Sequence, residues 1–312
     1  MTGTALTLVL GITLTACRAD RAPAAGGALA VVDDAGDTVR LGAPARRIVS
    51  LIPTTTEILL SAGLGDRVVG RTEWCDWPAT VGSIPSVGGG FPPNVEAVAA
   101  RAPDLVVLYH TAVTGPAAAQ LEALGIPVVE LRTDRLADVP RVARLLGVLA
   151  GASAAGEALA REFERGLADA SAGLSAHRAA AIPVLLLAWP DPTVALGAGA
   201  FMSELLELAG GRNVFGDVPS ASAPVSLESI VARDPEAVFL ADSAAGAALT
   251  RPEWRTVRAV RAGRVITPLP PALTRAGLRA PLAVRQLRRR LAELNRSTDA
   301  ASLNVSRSKA LP

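Results

Sequence analysis

Aromatic residues make up only 3% of this 312-residue chain, so the position of each one carries information. Lysine is scarcer still, since the only one is Lys309, three residues from the end. That absence excludes a phosphate-binding loop of the G-x-x-x-x-G-K type and any Schiff-base chemistry. His110 and His177 are the only histidines, too few for a histidine-rich metal site. No sign of charge dominates: 31 basic and 29 acidic residues leave a net charge of +2. Arginine is nowhere dense enough to track a phosphate backbone, which argues against nucleic acid as a partner.

No apolar run reaches the roughly 20 residues that a membrane-spanning helix needs. The stretch Ala5 to Leu14 is too short to span and reads as an export signal. It ends in Leu14-Thr15-Ala16-Cys17, which resembles a bacterial lipobox. In that reading residues 1–17 are a lipoprotein signal peptide, Cys17 is acylated after cleavage, and several acyl chains at about 0.8 kcal/mol per methylene hold the protein on a membrane. A buried N-terminal strand is the rival reading of the same run. With Cys17 lipidated, Cys75 has no partner for an intrachain disulfide and reads as a small buried hydrophobe.

Residues 18–30, rich in Ala, Gly and Pro, suit a flexible linker. LAVVDDAGDTVRL predicts two short strands around a turn, and PTTTEILLSAGLG predicts a helix with Thr54 and Glu57 at capping-box spacing. Strand-like and helical stretches then alternate, the pattern of a parallel sheet covered by helices. The expected organisation is an N-terminal lobe over 31–138, a helical region over 139–180, a C-terminal lobe over 181–295 and a disordered polar tail over 296–312. The fold class is therefore α/β, with two Rossmann-like lobes, each on a parallel sheet, joined by one long α-helix.

The two halves echo one another. Asn94 to Leu108 aligns without a gap on Ser226 to Leu240, matching Glu96 with Glu228, Arg101 with Arg233 and Pro103 with Pro235. Asn94 and Ser226 read as N-caps, and each glutamate falls in a first turn, where the helix dipole already favours it.

RIVSLIPTTTEILLSAGLG, TEWCDWP, FMSELLELAGGRNVF, VSLESIVARDPEAVFL and TRAGLR, in this order and spacing, resemble the substrate-binding proteins of ABC importers for cobalamin and iron chelates. The Cys-Asp-aromatic-Pro segment Cys75 to Pro78 is most similar to the cobalamin-binding branch. The resemblance implies a bilobed fold of the class III periplasmic-binding-protein type, with ligand in the cleft and a rigid connecting helix. It implies no catalysis and no intrinsic cofactor. The partners it implies are a metal-chelate ligand, an ABC permease dimer with a cytoplasmic ATPase, and a membrane reached through the lipid anchor. A monomer is expected. Glu96 and Glu228 match the positions that pair with permease arginines in this family.

A corrin is a broad, largely apolar plate with amides at its rim, so aromatic faces and a few hydrogen-bonding groups should hold it. Each ring can bury about 150–250 Å², or roughly 4–6 kcal/mol before ordering costs. The candidate ligand contacts are Trp74 and Trp77 of TEWCDWP, Phe91, Tyr109 at a strand end, Trp189 and Arg275. For each ring the competing role is core packing, above all for Trp77 before Pro78; for Arg275 it is a surface ion pair. His110 is a candidate axial ligand to a bound metal, against an ordinary hydrogen-bonded role. The loop SASAPVSLE lacks the aromatic that some relatives place before the serine.

Three rival functions remain. A ferric siderophore or haem could replace the corrinoid, and an anionic catecholate would call for arginines converging on the cleft. A secreted α/β hydrolase would need a nucleophile and base, but no Gly-x-Ser-x-Gly motif is present. A surface scavenger that works without a permease would leave the two glutamates idle.

Overall fold

The computed structural model describes residues 29–173, 181–240, 244–266 and 275–308. The signal peptide, Cys17, most of the linker and His177 lie outside the described residues.

The chain opens with a hairpin of β1 (Leu29–Val32) and β2 (Thr38–Leu41). Its turn is closed by the Asp33 carboxylate, which accepts from the backbone N–H of Ala35 and Asp37 at 3.0 and 2.9 Å. The first lobe is built on β3 (Ile48–Ser50), β4 (Val68–Arg71), β5 (Leu105–Tyr109) and β6 (Val128–Leu131). These form one all-parallel sheet in the order β4-β3-β5-β6. Helices α1 (Pro53–Ser61), α2 (Val95–Ala99) and α3 (Gly115–Ala123) connect the strands.

Along β5, Leu105 and Val107 enter one apolar cluster while Val106 and Leu108 enter another on the opposite face. A strand buried on both faces needs an uninterrupted apolar run, which is what LVVL supplies.

The helical region is two helices, α4 (Asp138–Leu149) and α5 (Ser153–Ser171). Gly151, at φ 63°, breaks the run, because a left-handed residue ends an α-helix. Helix α5, at 19 residues about 28 Å long, leads to the second lobe. Gly147 and Gly156 let the two helices touch backbone to backbone: a Cβ on Gly156 would lie 2.5 Å from the Ala143 carbonyl oxygen.

The second lobe holds β7 (Ile182–Pro190), β8 (Thr193–Leu196), α6 (Phe201–Leu208), β9 (Gly211–Asn213), β10 (Ser222–Pro224), α7 (Leu227–Arg233), β11 (Ala237–Leu240), α8 (Arg258–Arg261) and β12 (Val265–Ile266). Its sheet is mixed, where a parallel one was expected. Strands β9, β11 and β12 run parallel with their neighbours, but β8 and β10 are antiparallel. Only two residues separate β7 from β8, so the pair must be a hairpin.

Helix α9 runs from Ala280 to Ser308. The tail expected to be disordered from residue 296 is thus helical through Ser308, since no Gly or Pro follows Pro281 within it to stop the helix.

The capping box expected at Thr54 and Glu57 does not form. Helix α1 starts one residue earlier, with Pro53 in its first turn and no side-chain cap; proline lacks the N–H that a cap would satisfy. One apolar cluster continues from the first sheet through α4, α5 and α9 to the inner face of the second sheet, taking in Leu105, Leu146, Phe163, Val184, Phe239 and Val284.

Candidate functional site

In the first sheet the chain leaves β3 for β4 on one side and returns to β5 on the other. Open α/β sheets bind ligands at this switch point, outside the strand carboxyl ends. Four segments converge there: the β3–α1 junction, the loop after β4, Tyr109 at the end of β5, and the segment 275–279.

The loop after β4 is fixed by what it buries. Cys75 is buried, as expected for a small apolar residue, and its sulfur lies 3.2 Å from the hydroxyls of both Thr56 and Thr72. Thr56 donates onward to Ser50 at 2.8 Å. This chain ties the loop to β3 and α1, and leaves Trp74, Asp76 and Trp77 facing outward. Gly90, at φ 76°, packs so close to Thr72 that a Cβ would sit 2.5 Å from its methyl group. Gly89 lies flat beside the Trp74 indole nitrogen, where its Cβ would come within 3.5 Å.

The candidate rings are exposed: Trp74 60%, Phe91 58%, Trp189 59% and Trp77 47%. Four large aromatics at the surface of a chain with so few of them do not serve the core. Trp189 stands at the carboxyl end of β7, paired with Val194 of β8. Among the described residues none of Trp74, Phe91 and Trp189 has its face covered by another ring or by a guanidinium. Trp77 differs, because Arg279 lies over its ring at 5.1 Å.

Arg275 is not a free guanidinium. Its Nη1 and Nη2 donate to the two carboxylate oxygens of Asp76 at 2.7 and 3.3 Å. Beside it, Thr54 donates to the Ala276 carbonyl at 2.5 Å, and Arg279 Nε lies 3.4 Å from Glu57 Oε1. Burial raises the pKa of Glu57 above the usual carboxylate range, although Arg279 and Arg275 pull the other way. Thr54 and Glu57, misread from sequence as caps, therefore bind the segment before α9 to the first lobe. Asp76 and Arg279 were not singled out either. The contacts Arg275–Asp76 and Thr54–Ala276 join residues 199 and 222 positions apart in sequence, and no local pattern announces a pairing at that range.

Tyr109 is half-buried and donates its hydroxyl to Asp134 Oδ1. Burial first, and then this bond, raise its pKa above the ordinary phenol value. His110 is held through Nδ1 by Glu130 Oε2 at 2.9 Å, which fixes the ring; among the described residues Nε2 has no hydrogen bond. Among the described residues no cluster of His, Cys, Asp or Glu could hold a metal ion.

Glu96 and Glu228 are exposed in the first turns of α2 and α7. Asn94 Oδ1 accepts from Ala97 N–H at 3.0 Å, and Ser226 Oγ accepts from Ser229 N–H at 3.2 Å. Backbone and Ser226 hydrogen bonds lower the pKa of Glu228. The matched residues Ala102 and Asp234 both take positive φ, 46° and 44°. The internal repeat is thus one helix–turn–strand unit used once in each lobe.

A concavity of about 1140 Å³ opens elsewhere, between the end of α5, the start of β7, the end of α6 and α9. It carries none of the exposed rings and lies away from the first lobe's strand ends, so the cleft remains the candidate site.

Residues 48–271 match the periplasmic binding protein family. A vitamin B12-binding protein of Pectobacterium carotovorum subsp. carotovorum is 26% identical over 256 residues, covering 82% of this chain and 92% of that protein. The crystal structure of the periplasmic vitamin B12 binding protein BtuF of Vibrio cholerae superposes with a TM-score of 0.69 at 26% identity, over 81% of this chain and 98% of that one. A periplasmic heme binding protein from Pseudomonas aeruginosa gives 0.68 at 26% identity, over 78% and 91%. No described helix is long and apolar enough to cross a membrane. With two lobes of this topology and a match across 224 of 312 residues, the chain belongs to the periplasmic binding protein family, as an extracytoplasmic substrate-binding component of ABC import that binds without catalysing.

Proposed function

We propose that this protein captures a corrinoid between its lobes and delivers it to an ABC permease. The carrying observation is the set of exposed rings, Trp74 and Phe91 in the first lobe and Trp189 at a strand end of the second. A corrin ring presents two broad apolar faces, and flat side chains from opposing lobes match them. The local charge supports the same choice over an anionic catecholate, because Arg275 and Arg279 already carry Asp76 and Glu57. In this reading Trp74, Phe91, Tyr109 and Trp189 touch ligand, and Trp77 supports the loop beneath Arg279. Glu96 and Glu228 pair with permease arginines, and Cys17 carries the lipid.

Haem is the second reading. It is favoured by His110, whose Nδ1 contact with Glu130 orients the ring and raises the basicity of the free nitrogen for axial ligation. Titration of residues 18–312 with cyanocobalamin and with haemin, followed by tryptophan fluorescence, decides between them. Saturable quenching by cyanocobalamin, weakened by Trp74→Ala and Trp189→Ala, is the expected result. Quenching by haemin with none by cyanocobalamin moves the assignment to haem.

A further inference from the structure

We infer that Asp76 sets ligand charge selectivity, by holding Arg275 in a two-point ion pair so that this guanidinium is withheld from an anionic ligand. The inference deepens the proposed function and rests on its placement of the cleft.

Three observations carry it. First, the pair sits at the switch point: Asp76 lies between Trp74 and Trp77, and the Arg275 segment is tied to the amino end of α1 through the 2.5 Å Thr54–Ala276 bond. Second, the geometry is bidentate, at 2.7 and 3.3 Å, and it uses both carboxylate oxygens, so a ligand carboxylate cannot engage the fork while Asp76 is in place. Third, the neighbouring groups are paired. Glu57 faces Arg279 at 3.4 Å and also feels Arg275 and Asp76. Two carboxyl groups thus face two guanidiniums beside exposed indoles. A site meant for an anionic chelate would leave positive charge over.

A neutral plate with amide edges loses nothing from this arrangement. An anionic plate must either displace Asp76 or bind beside it, and both cost affinity. Discrimination of this kind, by building repulsion against the unwanted partner, is a common route to specificity.

The test compares haemin, a flat metal complex bearing two carboxylates, with cyanocobalamin on the wild-type chain and on Asp76→Asn. The substitution keeps the shape and a hydrogen bond to Arg275 but removes the charge. The expected result is haemin binding tightened by about tenfold or more, with cyanocobalamin affinity changed by less than about threefold. In Asp76→Asn/Arg275→Gln the haemin gain disappears. Unchanged or weaker haemin binding in Asp76→Asn overturns the inference, as does an equal loss for both ligands, which would mark Asp76 as a loop fastener alone. Asp76→Ser repeats the test should the asparagine variant not fold; if neither folds, the role is structural and the selectivity claim fails. The corrinoid reading fails separately, when the wild-type chain ignores cyanocobalamin whatever Asp76 does to haemin.

Discussion

Tyr109 is the only tyrosine in the chain, so its ionisation can be followed alone by phenolate absorbance. Burial and the bond to Asp134 both favour the neutral phenol. The folded pKa therefore lies above the unfolded one, and the folded state holds its proton longer. The sign follows: stability from this group is complete below the unfolded phenol pKa near 10 and is lost as pH rises from there through the folded value. The expected alkaline titration begins above the normal tyrosine range, and Asp134→Asn brings it down toward that range. A wild-type midpoint at the ordinary value would break the link between Tyr109 and Asp134. At this scale the sequence was a fair guide to which residues stand out and a poor guide to what they touch. The exposed indoles could be named because aromatics are rare. The partners Asp76, Glu57 and Asp134 could not, since an aspartate or glutamate near a helix start looks the same whether it caps, pairs across the fold or faces water.

The helix–turn–strand unit of α2–β5 and α7–β11 was the most legible element, because two copies in one chain act as their own control. Asn94 and Ser226 do cap, and Val98 and Ile230 are buried at matching positions. Capping, however, uses the side chains of Asn94 and Ser226, not the glutamates one residue inside the helix. Glu96 and Glu228 are left exposed to solvent. Replacing both with arginine is expected to abolish uptake in a cell that depends on this protein, while ligand affinity of the purified chain stays within about twofold, since surface changes away from the cleft are worth little. Uptake at the wild-type rate would favour a scavenger that needs no permease. The break at Gly151 and the antiparallel strands of the second sheet were less legible. An Ala-rich run reads as helix straight through one glycine, and strand direction depends on where the chain turns, which TV and AL patterns do not record.

The lobes are joined by more than α5. Arg135, in the segment after β6, forms an ion pair with Glu204 in the first turn of α6. The other oxygen of Glu204 accepts from the Leu136 backbone N–H at 3.1 Å, and Arg135 reaches the Ala198 carbonyl at 3.2 Å. Loop 132–137 thus bridges the lobes while also carrying Asp134, the partner of Tyr109. Glu204→Ala is expected to lower stability by about 1–2 kcal/mol. It should also speed amide exchange over 132–137 and 197–200 more than elsewhere; exchange unchanged in both segments would show that the bridge carries no load.

The apolar body that runs unbroken beneath both lobes has a further consequence for how cargo leaves. Prising such a jaw wide apart would wet its root, so spontaneous gaping is rare and a guest escapes only through small tremors at the rim. In the proposed import cycle unloading then becomes work done from outside: an importer that grips both lobes would supply the force that the carrier's own heat does not.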